Sequence, residues 1–352
     1  MAWGRAALVL AVASVVGATL VSGGPRDESF RLRVDPRWLE RAKPLGPDAP
    51  TWTRRMYRRS LLVLRAMTDR RTGAVVAGRR DGWEYVWPRD AGVVAMALAS
   101  AGYRAEARRI VRFLDGLDLE AAARFYPDGA PVEGRAAQGD AAGWIDAAAK
   151  AAGAPAGAPR LPWRDLADYQ EGEPGDYLGN AIASAAAAPE GTSAGDLPAG
   201  RLAEREIGRE FGAGGVLVRD AGNPGSGVDS SAAWAVRPFS QPSLYPRARR
   251  SLLRIAAASN RYGIVPSQGW DGGVDPWTAP TAWTAWSLAA LGERRASLRL
   301  MAALRRDATP AGLLPERVDA RTGVPTSTTP LAWSHAFAIL AIRELWPGGA
   351  TR

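Results

Sequence analysis

The feature that most restricts the fold is an apolar pattern at helical spacing that returns about eleven or twelve times along the chain, with few stretches that alternate as strands do. The pattern predicts helices over 51–67, 91–102, 104–114, 138–152, 201–211, 247–259, 281–291, 295–304 and 330–345, with shorter candidates at 177–187 and 230–236. The connections at 73–87, 125–135, 153–176, 213–229, 262–280 and 307–328 are too long for a plain bundle, and most carry aromatic and charged residues. A toroid of paired helices would gather such loops on one face. No internal repeat marks the toroid, so it follows from helix number and loop content alone. Punctuation supports the boundaries: Gly292 ends one helix, Trp346-Pro-Gly-Gly349 ends the last, and Thr329-Pro330 supplies a cap and a first-turn proline for it.

Before the helices, Arg5 is followed by an apolar run from Ala6 to Val21 and then by Ser22, Gly23 and Gly24, the layout of an export signal. No Ala-x-Ala site closes it, so residues 1–24 read as a signal peptide or an uncleaved anchor, 25–38 as a linker, 39–347 as one domain and 348–352 as a tail. The expected location is therefore secreted or anchored to the cell envelope, with membrane or envelope contact through the N-terminus and the protein acting as a monomer. The chain of 352 residues has no cysteine, so its stability has to come from a core large enough to need no disulfide.

The residue inventory removes several function classes. With a single histidine, His335, and no cysteine, the usual zinc sites cannot be assembled. Lys43 and Lys150 are the only lysines and neither follows a glycine, which excludes a phosphate loop, and Gly212-Ala-Gly-Gly215 lacks the third glycine of a dinucleotide fingerprint. No metal or cofactor is expected. The net charge of +9 is almost wholly arginine, interleaved with acids and not arranged as an aromatic-studded stripe, so no nucleic acid is expected as a partner. Arginines 54, 55, 58 and 59 read as a solvated helix face. Carboxylates are the abundant groups left for catalysis.

Two segments concentrate chemistry. Trp83-Glu-Tyr-Val-Trp-Pro-Arg-Asp90 packs three aromatics, a guanidinium and two carboxylates into eight residues, a mixture that stacks a sugar ring and forks its hydroxyls. Gly312-Leu-Leu-Pro-Glu-Arg-Val-Asp319 places Glu316 behind a proline, in a rigid turn that can aim it. Trp270 and Trp277, in a loop rich in Gly and Asp, read as site residues, Trp283 and Trp286 as core, and His335 as a hydrogen-bonded structural residue.

Tyr85-Val-Trp-Pro-Arg-Asp-Ala91, followed by a helix and Gly102-Tyr103, resembles the glucoamylase-like glycoside hydrolases of family fifteen. Further similar segments follow in order: Gln138-Gly-Asp140 with Trp144, Val228-Asp-Ser-Ser231, Asn260-Arg-Tyr262, Asp275-Pro-Trp277, Leu314-Pro-Glu316 and Pro330-Leu-Ala-Trp-Ser-His-Ala336. The resemblance implies an (α/α)6 barrel acting on an oligosaccharide or polysaccharide. It implies Glu316 as the general base, and Arg89, Asp90, Trp83, Trp87, Arg261 and Trp277 as substrate-binding residues. Where the family usually has tyrosine, this chain has Trp83. The general acid falls on Glu171 in Ala167-Asp-Tyr-Gln-Glu-Gly-Glu-Pro-Gly175, a segment that departs from the family's pattern, so Asp168 and Glu173 stand as alternatives. The implied reaction is inverting, exo-acting hydrolysis of a terminal α-linked sugar, glucose above all, by two glutamates. Trehalose or dextran-type hydrolysis and a catalytically inactive saccharide-binding module are the alternative readings.

Overall fold

The computed structural model describes residues 36–80, 82–155, 169–170, 173–174, 177–187 and 199–348. The chain divides into two units, Met1–Arg31 and Leu32–Arg352, and all described residues lie in the second. Eleven α-helices are described: α1 Pro36–Glu40, α2 Thr51–Met67, α3 Pro88–Ser100, α4 Arg104–Asp115, α5 Ala141–Ala152, α6 Leu178–Ala187, α7 Ala199–Glu210, α8 Tyr245–Ala257, α9 Thr278–Ala290, α10 Arg294–Asp307 and α11 Ala332–Leu345. Two short antiparallel hairpins join them, β1 Tyr169–Gln170 with β2 Glu173–Pro174, and β3 Gly212–Ala213 with β4 Val216–Leu217. Among the described residues, no helix is long and apolar enough to cross a membrane.

The helices form two rings. Around the inner ring α3 packs on α5, α5 on α6, α6 on the 3-10 helix Ser230–Ala235, that helix on α9, α9 on α11, and α11 back on α3. Outside it, α4 packs on α3 and α5, α7 on α6, α8 on the 3-10 helix, α10 on α9, and α2 on α11. Five outer helices are thus described, and residues 156–168, between α5 and α6, lie outside the described ones. This is the (α/α)6 toroid.

Composition separates the rings. Outer α4 buries Ala107, Ile110, Val111 and Leu114, and outer α8 buries Ala248, Ser251, Leu252 and Ile255, each a single stripe at i, i+3, i+4 and i+7. Inner α3 is buried at every residue from Pro88 to Ala99, and it is built from Ala, Val and Gly because neighbours crowd all its sides. Gly143 of α5 shows how close the inner backbones come: a Cβ there would stand 2.1 Å from the carbonyl oxygen of Ala183 in α6. Any side chain would force the two helices apart.

Three sequence expectations change. The inner member at 230–235 is a 3-10 helix, capped by Asp229 accepting from the Ser231 N–H at 2.7 Å. α3 starts at Pro88, three residues before the expected Ala91, because proline fits the first helical position. Pro330 does not open the last helix. The Thr329–Pro330 peptide is cis, and the Leu331 and Ala332 N–H groups bond to the Leu314 and Ala77 carbonyls at 3.0 and 2.8 Å, so α11 begins only at Ala332.

Candidate active site

Residues at the N-terminal ends of the inner helices meet in a cavity of about 450 Å³. The segment entering α3 alternates, and the alternation separates its side chains. Val86 is buried and pairs with Phe125 through bonds of 2.8 and 2.9 Å, whereas Trp83, Tyr85 and Trp87 lie together, with Trp83 5.9 Å and Tyr85 6.1 Å from Trp87. Trp83 and Trp87 line the cavity. Arg89 and Asp90 follow in the first turn of α3, where the helix dipole favours the carboxylate.

Arg89 is held from three sides. Its Nη1 donates to Asp140 Oδ2 at 2.9 Å, its Nε lies 3.8 Å from Asp90 Oδ2, and its guanidinium sits 4.9 Å from the centre of the Trp333 ring. Asp140 occupies the cap position of α5 but does not cap it, because its Oδ2 also accepts from Trp144 Nε1 at 3.1 Å. Arg89 and Asp90 are both almost fully buried, so the pair is a fixed part of the cavity floor.

Glu316 enters from the connection between α10 and α11. Its N–H donates to the Thr328 carbonyl at 2.9 Å and its carbonyl accepts from Thr278 N–H at 3.0 Å, which ties the turn to the start of α9. The hydroxyl of Thr278 donates to the Pro315 carbonyl. Behind the turn, buried His335 accepts the Leu314 N–H at Nε2 over 2.9 Å and contacts Ser60 Oγ through Nδ1, also at 2.9 Å. An Nε2 that accepts leaves the proton on Nδ1, which donates to Ser60. Burial pushes the imidazole pKa down to about 3.

The Glu316 side chain is 5% exposed, its Oε2 accepts from Ser327 Oγ and lies 4.0 Å from Arg317 Nε. Burial raises its pKa, and the Ser327 hydrogen bond and the Arg317 charge pull it part of the way back. Arg317 in turn lies over Trp277 at 5.6 Å. Nearby, Tyr177 donates to Asp229 Oδ1 at 3.4 Å, and burial holds that carboxyl up to about 6 against the bonds it accepts.

The structure thus brings together Trp83, Trp87, Arg89, Asp90, Trp277 and Glu316, all lining one cavity. It does not bring in Arg261, which is exposed, rests over Tyr262 at 5.2 Å and takes no part in the lining. Glu171 and Asp168 lie outside the described residues. Gln170 and Glu173, on either side of Glu171, pair in the β1–β2 hairpin. Trp283, expected as core, is both buried and part of the lining, and its indole N–H donates to the Ser230 carbonyl at 3.0 Å. Trp286, also expected as core, is buried. The lining further includes Arg124, Tyr177, Trp234, Trp270 and Trp333. Of these, Arg124 and Trp234 had no chemical signal in the sequence, while Trp333 lay within a segment already singled out.

A cavity walled by indoles, floored by a fixed guanidinium–carboxylate pair and holding one buried glutamate suits a sugar ring. Residues 52–121, which include the Trp83–Asp90 segment, match the family model for glycosyl hydrolases family 15. That segment of the chain is similar to a family of glycoside hydrolases. Solved structures similar to this chain include a wild-type glycosidase at 22% identity and TM-score 0.69, covering 89% of this chain and 99% of that one. A bacterial glucoamylase complexed with acarbose follows at 15% identity and TM-score 0.63, covering 88% and 57%. A family 15 glucoamylase from Hypocrea jecorina shows 14% identity and TM-score 0.61, covering 81% and 70%. No curated sequence is significantly similar to this chain.

Proposed function

We propose that the protein is an inverting exo-glycosidase that releases a terminal α-linked sugar, glucose above all, with Glu316 as the general base. The observation that carries this reading is the state of Glu316 within the cavity. Oε2 is occupied by Ser327, and Oε1 has no donor among the described residues, so it is the oxygen left to take a proton from water. Arg89 and Asp90 provide the fork for sugar hydroxyls. The buried floor of Trp87, Trp234 and Trp283 favours entry of a chain end over passage of a chain. The glucose and acarbose in complexes of similar folds support a glucosyl unit.

The general acid is assigned to the Asp168–Glu173 segment, with Glu171 as first choice. In an inverting enzyme the two carboxyl groups stand about 6.5–9.5 Å apart, leaving room for the water between them. Export or envelope anchoring rests on residues 1–24 and is part of the proposal. Proton NMR of the earliest product from an α-glucoside tests the stereochemistry. The β-anomer is expected first, and α-anomer as the initial product overturns the water-activating geometry.

Ser327 makes a second prediction. A base works only when deprotonated, so the acid limb of kcat/KM follows the pKa of Glu316. Ser327→Ala removes a donor to the ionised form, raises that pKa further and moves the acid limb to higher pH. A limb that stays in place, or moves to lower pH, contradicts the assigned role.

A further inference from the structure

Arg124 lies in the connection between α4 and α5, on backbone that is pinned from both sides. The next residue, Phe125, exchanges bonds of 2.8 and 2.9 Å with Val86, and the Arg124 carbonyl accepts from the Val132 N–H at 3.0 Å. Its half-buried side chain reaches the wall of the cavity that holds Glu316. There the guanidinium stands 4.5 Å from the centre of the Tyr85 ring and 5.4 Å from that of Trp87.

Those rings hold the cation without satisfying it, because a cation–π contact engages the charge and leaves the N–H donors unspent. Nε is buried without an acceptor, and no hydrogen bond or ion pair among the described residues engages the side chain. Arg89, in the same wall, differs in being bonded to Asp140. A guanidinium kept in a concavity with no bonded carboxylate is costly to desolvate unless a ligand brings one.

The place of Arg124 along the cavity says which part of a substrate would bring it. Three aromatics beside it form a ladder: Trp87 is 6% exposed, Tyr85 meets it edge-on at 6.1 Å, and Tyr126, 45% exposed, meets Tyr85 at 5.5 Å. The ladder climbs from the floor, where Arg89 and Asp90 sit, to the protein surface. Arg124 spans its first two rungs, one sugar above the floor.

We infer that Arg124 is a specificity residue that takes a carboxylate on the sugar next to the terminal one, on the leaving side of the scissile bond. The substrate is then an acidic saccharide, an α-glucosyl uronate, and not a neutral glucan; this rests on the reading of the cavity as an exo-glycosidase site. A planar carboxylate meets the edge of a guanidinium with two parallel bonds and neutralises the charge that the rings only hold, whereas a lone hydroxyl does neither.

The test compares maltose with its analogue in which the reducing-end sugar is oxidised to a uronate, at constant ionic strength. The parent is expected to favour the uronate in kcat/KM by about tenfold to a hundredfold, the usual contribution of a hydrogen bond to a charged group. In Arg124→Gln the ratio between the two substrates is expected to collapse, whatever the variant does to the neutral rate. Arg124→Lys keeps the charge but loses the fork, so it is expected to keep only part of the preference, and it replaces the glutamine variant if a thermal melt shows that one unfolded. Calorimetric titration of both disaccharides, which needs no turnover, keeps the two readings apart. Selective binding of the uronate that is lost in Arg124→Gln, with neither disaccharide hydrolysed, supports the carboxylate contact and overturns the glycosidase reading. Hydrolysis of both at equal rates by the parent supports the glycosidase reading and overturns the contact. A parent-like preference in either variant overturns the contact as well.

Discussion

Glu316→Gln is expected to lower kcat on α-glucosides by about 10²–10⁴-fold, the usual contribution of a positioned general base, while leaving the fold intact. The two bonds that fix the turn, from Glu316 N–H to the Thr328 carbonyl and from Thr278 N–H to the Glu316 carbonyl, belong to the backbone and survive the change. Glutamine keeps the volume of the side chain and an oxygen that accepts from Ser327. What it lacks is the capacity to take a proton. Because burial already disfavours the charged form, a neutral side chain at this position avoids the cost of burying a charge, and the melting temperature should not fall. Kinetics by glucose release together with a thermal melt separate the effects. Parent-like turnover in the variant removes Glu316 from the mechanism, and a large drop in melting temperature shows that it acts through the fold.

Asp140→Ala is expected to cost about 3–5 kcal/mol of stability, the scale for removing one partner of a buried ion pair, and to impair catalysis as well. Asp140 is 1% exposed and serves both Arg89 Nη1 and Trp144 Nε1, so its loss removes an ion-pair partner from a buried guanidinium and the acceptor from a buried indole N–H. The other acid paired with Arg89 among the described residues, Asp90, lies 3.8 Å away and in the same turn of α3, which gives poor geometry to replace it. With Arg89 free to reorient, KM should rise and kcat fall. The double replacement Asp140→Leu with Arg89→Met distinguishes support from chemistry, since apolar residues of similar volume tend to restore the stability of a buried pair. Denaturant unfolding should then recover toward the parent while activity stays low. Recovered activity would mean that Arg89 does not touch the sugar.

Much of the toroid was legible because its outer helices must bury one stripe each. The expected limits of the first long helix, 51–67, coincide with α2. The inner members were harder. Their surfaces are buried on all sides, so apolar period cannot tell a face toward a neighbouring helix from a face toward the axis. That is why Trp283 read as core yet lines the cavity. The same ambiguity hides Trp234, which lies on a 3-10 helix with a different period. Arg89, Asp90 and Glu316 were legible because unusual neighbours, a Trp-Pro pair and a Leu-Pro pair, mark them locally. Arg124 was not, for its contacts with Tyr85 and Trp87 at 4.5 and 5.4 Å arise only when the 125–131 turn folds back on the strand-like segment. Arg261 erred in the other direction: its segment matched in type, but its side chain turns outward onto Tyr262.

The lone histidine should make this protein acid-sensitive in a place where no proton is transferred. Released by unfolding, the ring takes up a proton near its ordinary value of 6.5, but in the native protein it resists until about 3. The unfolded chain therefore binds more protons across that interval, and each pH unit of acidification between those limits tilts the balance toward it by about 1.4 kcal/mol. Since the ring's Nε2 anchors Leu314, two residues from Glu316, protonation would eject the acceptor on which the turn hangs. Sour media should then destabilise the protein through this hinge, in addition to neutralising Glu316.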